Sequence, residues 1–200
     1  MKKKFFKIIP LLLLSLIFSC YTSTTTSTEY PVSQLKVEKY SKVGFDLDDT
    51  LLFSTPAFDY AFSSGVEPFS PEFWEIINEK TPELSRIKKK TFEILKKHKE
   101  NGAEVYIITA RKDYGKEKLL KFIREKFGVP PQNVYFTKDK SSIIEELGIQ
   151  VFYGDSDSDI SEAIEGGAKP VRVLRSPKSS YKKNYNPGVY DEEILPNSEE

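Results

Sequence analysis

Some residue types are scarce in this chain of 200 residues: one Cys, one His, one Trp and one Met. A single cysteine excludes a disulfide scaffold and any zinc site built on thiolates. A single histidine argues against a His-cluster metal centre, and a Ser-His-Asp triad would rest wholly on His98. Excess charge of either sign is also missing, with 30 Lys+Arg against 30 Asp+Glu. No internal repeat is evident, and composition excludes collagen, coiled coil and wholesale disorder. The one long apolar run, Ile8 to Phe18, falls short of the ~20 residues an ordinary transmembrane helix needs. What is plentiful is aromatic: 14 Phe and 11 Tyr within a 38% hydrophobic composition. That is enough for one packed domain at this length.

The charge balance hides an asymmetry. Lys2, Lys3, Lys4 and Lys7 precede the apolar run, and Ser19-Cys20 follow it. A basic start, a short apolar stretch and a small residue read as an export signal over residues 1–19. The segment Ile17-Phe18-Ser19-Cys20 resembles a lipoprotein lipobox, although Phe18 is bulky for its place. Lipidation of Cys20 would make the only thiol a membrane anchor; cleavage elsewhere would leave a soluble protein. Loss of residues 1–19 leaves 26 basic against 30 acidic side chains. That mildly acidic balance offers no footprint for a nucleic-acid polymer. Residues 20–30 form a Ser/Thr-rich tether, and residues 31–200 hold one domain.

Within that domain strands and helices alternate. Strands are expected at Lys42 to Leu47, Glu104 to Thr109, Val134 to Phe136, Gln150 to Tyr153 and, last, Val171 to Leu174. Helices are expected over 71–80, where Ser70-Pro71 is a cap followed by proline at the first helical position, and over 84–100, stopped by Asn101-Gly102. Further helices are expected over 115–127, 141–147 and 157–165. The pattern predicts an α/β fold, a Rossmann-like and mainly parallel central sheet with helices on both faces and a small helical cap. In such sheets ligands bind beyond the carboxyl ends of the strands. Polar residues collect there: Asp46-Leu47-Asp48-Asp49-Thr50 after the first strand, Thr109-Ala110-Arg111 after the second, Lys138 and Lys140 after the third, Asp155 to Asp159 after the fourth.

Convergent carboxylates repel unless a cation neutralises them. A hard oxygen set with few imidazoles suits Mg²⁺, which takes one or two carboxylates plus substrate phosphate. Thr109, Lys140 and Arg111 would bind the equatorial oxygens of a phosphoryl group. One Asp would serve as nucleophile and Asp48 as acid and base.

The run Asp46-Leu47-Asp48-Asp49-Thr50 resembles motif I of the haloacid dehalogenase (HAD) superfamily, and Thr109, Lys140 and the Asp155/Asp159 pair resemble motifs II to IV in order. VGFDLDDTLLFSTPAF (43–58), SPEFW (70–74), ITAR (108–111) and VFYGDSDSDI (151–160) are similar to the class B bacterial acid phosphatases. The class C enzymes, commonly lipoproteins, differ in motif IV. The resemblance implies Asp46 as nucleophile and Mg²⁺ ligand and Asp48 as general acid/base with a backbone carbonyl near the metal. It implies Asp155 as a further ligand and Asp159 in the outer shell. It also selects Lys140 over Lys138, and gives Arg111 a place beside the substrate. Aromatics matching Phe58, Trp74 and Tyr181 would form an apolar slot for nucleosides or aryl groups, within a cap insertion of about residues 54–82.

Between Phe58 and Trp74 the chain is several residues shorter than the family pattern. Phe58 and Trp74 fit pocket and core equally, whereas Phe62, Phe69 and Phe73 read as core. Ser33 and Gln34 resemble the arm that assembles family tetramers, which implies a homo-oligomer. His98 and the Lys runs 88–90 and 96–97 read as surface or boundary positions of a helix. The function expected is an exported, Mg²⁺-dependent acid phosphatase acting on phosphomonoesters such as nucleotides, with possible phosphotransfer. The alternative is a non-catalytic surface lipoprotein that uses the fold for binding.

Overall fold

The computed structural model describes residues 37–195 and 198. The export signal, Cys20, the tether, Ser33 and Gln34 lie outside the described residues. Among the described residues no helix is long and apolar enough to cross a membrane.

Among the described residues eight strands and six α-helices follow in order: β1 Lys42–Phe45, β2 Leu52–Phe53, α1 Thr55–Ser63, α2 Pro71–Leu84, β3 Arg86–Ile87, α3 Lys89–Glu100, β4 Glu104–Thr109, α4 Glu117–Phe127, β5 Val134–Phe136, α5 Lys140–Leu147, β6 Val151–Gly154, α6 Asp157–Glu165, β7 Lys169–Val173 and β8 Glu193–Leu195. Six strands form one parallel sheet in the order β5-β4-β1-β6-β7-β8. Apolar residues on both faces of β1, β4 and β6 explain why helices cover both sides. One core holds Val43, Phe45, Leu95, Ile107, Leu119 and Ile123, and the other holds Tyr106, Ile108, Ile144 and Phe152. Gly44 lets β1 approach β6: a Cβ there would lie 2.5 Å from the Phe152 ring.

The short ribbon of β2 and β3 closes the base of an excursion that carries α1 and α2 over the sheet edge. Ser70 caps α2 by accepting from the Phe73 amide (3.2 Å), and Pro71 starts the helix. The helix runs past the expected end at 80 to Leu84, with Pro82 tolerated in its last turn. The expected helix over 84–100 starts only at Lys89, because Arg86–Ile87 pair with β2. The strand at Val171 to Leu174 is not the last, since β8 adds a parallel edge beside β7.

Two lysine and histidine expectations are corrected. Lys88 is buried, and its Nζ donates to the carbonyls of Asp49 (2.7 Å) and Leu174 (2.5 Å), tying β3 to two strand-end loops. His98 is fully buried, with Nε2 2.9 Å from the Tyr153 hydroxyl. It lies one turn from Ile94 and Leu95, on the core face of α3, and burial holds its pKa down to about 4.

Candidate active site

The parallel sheet carries five of its strand ends to a single cavity of about 680 Å³. Asp46 follows β1, with its amide bonded to the Tyr153 carbonyl of β6 (2.8 Å). Lys140 opens α5, and Asp155 and Asp159 flank the start of α6. Lys140 Nζ lies 2.6 Å from Asp46 Oδ1 and 2.6 Å from Asp159 Oδ1. Lys138 also lines the cavity, but it is Lys140 that is buried between the acids. Asp159 is also held from within its own turn: its other oxygen accepts from the Ser156 amide (3.0 Å) and hydroxyl (2.7 Å), completing a capping box. Gly154 makes room for it, since a Cβ there would lie 2.2 Å from the Asp159 Cβ.

Asp48 lines the same cavity but has a different partner. Arg111, itself buried, grips it with Nε on Oδ2 (2.8 Å) and Nη2 on Oδ1 (2.5 Å). Arg111 Nη1 is held by Thr81 Oγ1 (2.8 Å) and Asn78 Oδ1 (3.2 Å), so α2 braces the pair. The expectation that Arg111 reaches toward substrate thus meets a guanidinium already committed to Asp48. Thr109 ends β4 fully buried, and its hydroxyl accepts from the Arg111 amide (3.3 Å). Ala110 and Arg111 form the cavity wall at that point.

Oxygen atoms of Asp46, Asp155 and Asp159 lie within 4.8 Å of one another. Asp48, expected to reach the metal through a backbone carbonyl, contributes no side-chain oxygen to that group. Against the three carboxylates stand two buried cations, Lys140 and Arg175, which leaves one negative charge uncompensated. Burial, opposed by Lys140 and reinforced by the other acids, raises the Asp46 pKa well above the ordinary carboxylate value. Burial, with Asp159 beside it and Arg175 opposing, pushes Asp155 up to about 7. For Asp48 burial is outweighed by Arg111, which holds the carboxyl below its usual value. Buried acids short of counter-charge are what a divalent cation would relieve, and an all-oxygen set suits a hard one.

The other wall is aromatic. Phe58, Phe62, Phe69, Trp74 and Tyr181 line the same cavity. Phe73 is core, as expected, but Phe62 and Phe69 are not: they are 49% and 63% exposed. Phe69 adopts φ +66°, a left-handed backbone uncommon for a bulky side chain. Its ring lies 6.0 Å from that of Phe62 and 6.1 Å from that of Trp74.

Three contributors went unassigned in the sequence. Thr50 Oγ1 donates to Asp155 Oδ1 (3.2 Å), and Ser179 Oγ donates to Asp49 Oδ2 (2.6 Å). Arg175 pairs with Asp155 Oδ2. The strand-end rule, applied to Val171 to Leu174, points to Arg175 as it did to Arg111.

A parallel sheet with helices on both faces and an acid–lysine cluster at its carboxyl edge defines a HAD-type phosphatase. The model of HAD superfamily subfamily IIIB (acid phosphatase) matches residues 19–184. The chain belongs to this acid phosphatase family. It is 38% identical over 171 residues to the class B acid phosphatase of Klebsiella pneumoniae, covering 78% of this chain and 72% of that one. It is 31% identical over 201 residues to the class B acid phosphatase of Proteus mirabilis, covering 89% and 85%. Its fold is similar to that of a Haemophilus somnus protein assigned as a phosphoglycolate phosphatase, with TM-score 0.52, 16% identity and coverage of 80% and 95%. The family makes the chain a phosphatase acting on phosphomonoesters, which sets aside the non-catalytic alternative. Phosphatases of this superfamily generally use a divalent metal, and a cluster of three buried aspartates is present here.

Proposed function

We propose that the chain is an exported, Mg²⁺-dependent acid phosphatase that hydrolyses nucleotides and aryl phosphates through a phosphorylated Asp46. One observation carries the reading: Asp46 is held at the cavity floor by Lys140, while Asp48, two residues on, is held apart from it by Arg111. Two neighbouring carboxylates with different partners suit two different roles.

Asp46 and Asp155, with a backbone carbonyl near Asp48, would hold the ion, which would supply neutralising charge for a phosphate dianion. Asp159, held by Ser156, would orient Lys140. Asp46 attacks phosphorus and the ester P–O bond breaks; Asp48 gives the leaving oxygen its proton, a role that requires Arg111 to release the carboxyl it holds ionised in this structure. Water then attacks the same phosphorus after losing a proton to Asp48, which releases phosphate and restores Asp46. An alcohol in place of water would give phosphotransfer. Lys140 and Thr109 are assigned to the phosphate. Arg111 contributes by aiming Asp48 and stays near enough to meet the substrate.

Phe58, Trp74 and Tyr181 suit a planar leaving group. The basic start, apolar run and Ile17-Phe18-Ser19-Cys20 support export with a lipid anchor on Cys20. Assembly as a homo-oligomer follows from family resemblance. Hydrolysis of p-nitrophenyl phosphate with and without EDTA tests the reaction; no turnover with Mg²⁺ at any mildly acidic pH would reject it. Trapping a fluoride mimic of phosphate on Asp46 tests the intermediate. Palmitate labelling that survives Cys20→Ser would reject the anchor.

A further inference from the structure

We propose that Arg175 is a positioning residue that locks the cation-binding carboxylate Asp155 and the Tyr181 wall of the pocket into one fixed relation. The inference rests on the phosphatase reading above. Arg175 follows β7 and is 5% exposed. Its Nε donates to Asp155 Oδ2, while Thr50 holds Oδ1 from the other side (3.2 Å), so the carboxylate cannot turn. Its Nη1 donates to the carbonyls of Tyr181 (3.2 Å) and Lys183 (2.9 Å). The guanidinium carbon lies 5.0 Å from the Tyr181 ring centroid and 4.7 Å from that of Tyr185. The Arg175 amide donates to the Tyr185 hydroxyl (3.0 Å).

The chain between β7 and β8 contains no helix or strand, so its carbonyls need partners from elsewhere. Arg175 supplies two of them from within. A loop anchor alone would not require the carboxylate contact. Arg172 shows the difference: it is fully buried beside Arg175, yet it bonds the Asp155 carbonyl (2.8 Å) and Glu192 (2.7 Å), not the Asp155 carboxylate. Only a rigid fork reaches the acid and the loop together; an ammonium is a single point.

The test uses the full chain. Arg175→Ala should weaken Mg²⁺ binding, read by calorimetry, about tenfold or more, as loss of an outer partner does, whereas loss of its positive charge alone would tighten it. It should also raise KM for p-nitrophenyl phosphate. Combined with Tyr181→Ala, the effects on that KM should be less than additive, because both changes disable one wall. Unchanged Mg²⁺ affinity in the variant, with native near-ultraviolet dichroism, would overturn the proposal, and so would strict additivity. Should Arg175→Ala not fold, Arg175→Lys decides. It should raise KM for p-nitrophenyl phosphate several-fold while leaving that for glycerol 2-phosphate within about twofold. An equal change for both esters would overturn it. A wild-type chain that neither binds Mg²⁺ nor cleaves either ester would instead overturn the phosphatase reading, and this one with it.

Discussion

The two walls of the cavity are built on opposite terms. The acid floor is buried, and Lys140, Asp159 and Asp155 each meet two or more partners drawn from different strand ends. The aromatic wall is half exposed, comes from the cap excursion with Tyr181 added by the loop after β7, and packs Phe62 and Phe69 against neighbouring rings. Charges with several partners each tolerate little change, because removing one leaves the others unpaired in a low dielectric. Rings in loose edge-to-face contact can be exchanged at little expense. Chemistry is thus fixed by the sheet, and selectivity is left to the cap.

The sharpest way to break this contrast is at the nucleophile. Asp46→Asn should cut turnover by about 10⁴-fold or more, as loss of a reacting group does, with the thermal transition retained; residual turnover near wild type would move the reaction elsewhere. Lys140→Met comes next. It strands Asp46 and Asp159, and denaturant titration should show a loss of about 3–5 kcal/mol together with lost activity. A smaller effect lies beneath the floor, where Tyr153 stacks on Phe45 (4.7 Å) and meets His98. His98 is held down to about 4 from an ordinary 6.5. An imidazole that resists protonation when folded leaves its stability intact above the unfolded value. That stability is then lost as pH falls from about 6.5 toward 4, by about 3 kcal/mol. His98→Gln should therefore flatten the acid side of the stability profile; an unchanged slope would place the sensitivity in the carboxylates. The smallest effect belongs to the wall. Phe69→Asn should raise KM for p-nitrophenyl phosphate several-fold, worth about 1 kcal/mol of ring contact. The asparagine fits the left-handed backbone, so stability should not fall. A stability loss beyond about 1 kcal/mol would return Phe69 to the core.

The floor was legible in the sequence because apolar strands announce themselves and their ends follow a general rule. β4, β5 and α6 lie where the pattern put them. Elements without such a signal were missed: β2 and β3 are two residues each, and β8 is a three-residue edge with two exposed positions. α1 follows β2 after a single residue and presents only Ala57 and Ala61 to the interior. His98 was misjudged because its lysine neighbours obscured a helical period that Ile94 and Leu95 already set. Phe62 and Phe69 were misjudged because an aromatic-rich segment looks the same whether its rings face a core or a cleft.

Glu192 is the last of the groups around the site to leave the ribosome. Its carboxylate accepts from the Arg172 Nε and from the Gly188 and Tyr190 amides. Until it arrives, the arginine beneath the Asp155 carbonyl has only Asp157 (3.0 Å) of its two carboxylate partners, and the catalytic edge lacks one outer brace. A chain cut short of this residue would keep every reacting side chain but lose a tie between the outermost loop and the arginine that supports Asp155 from behind.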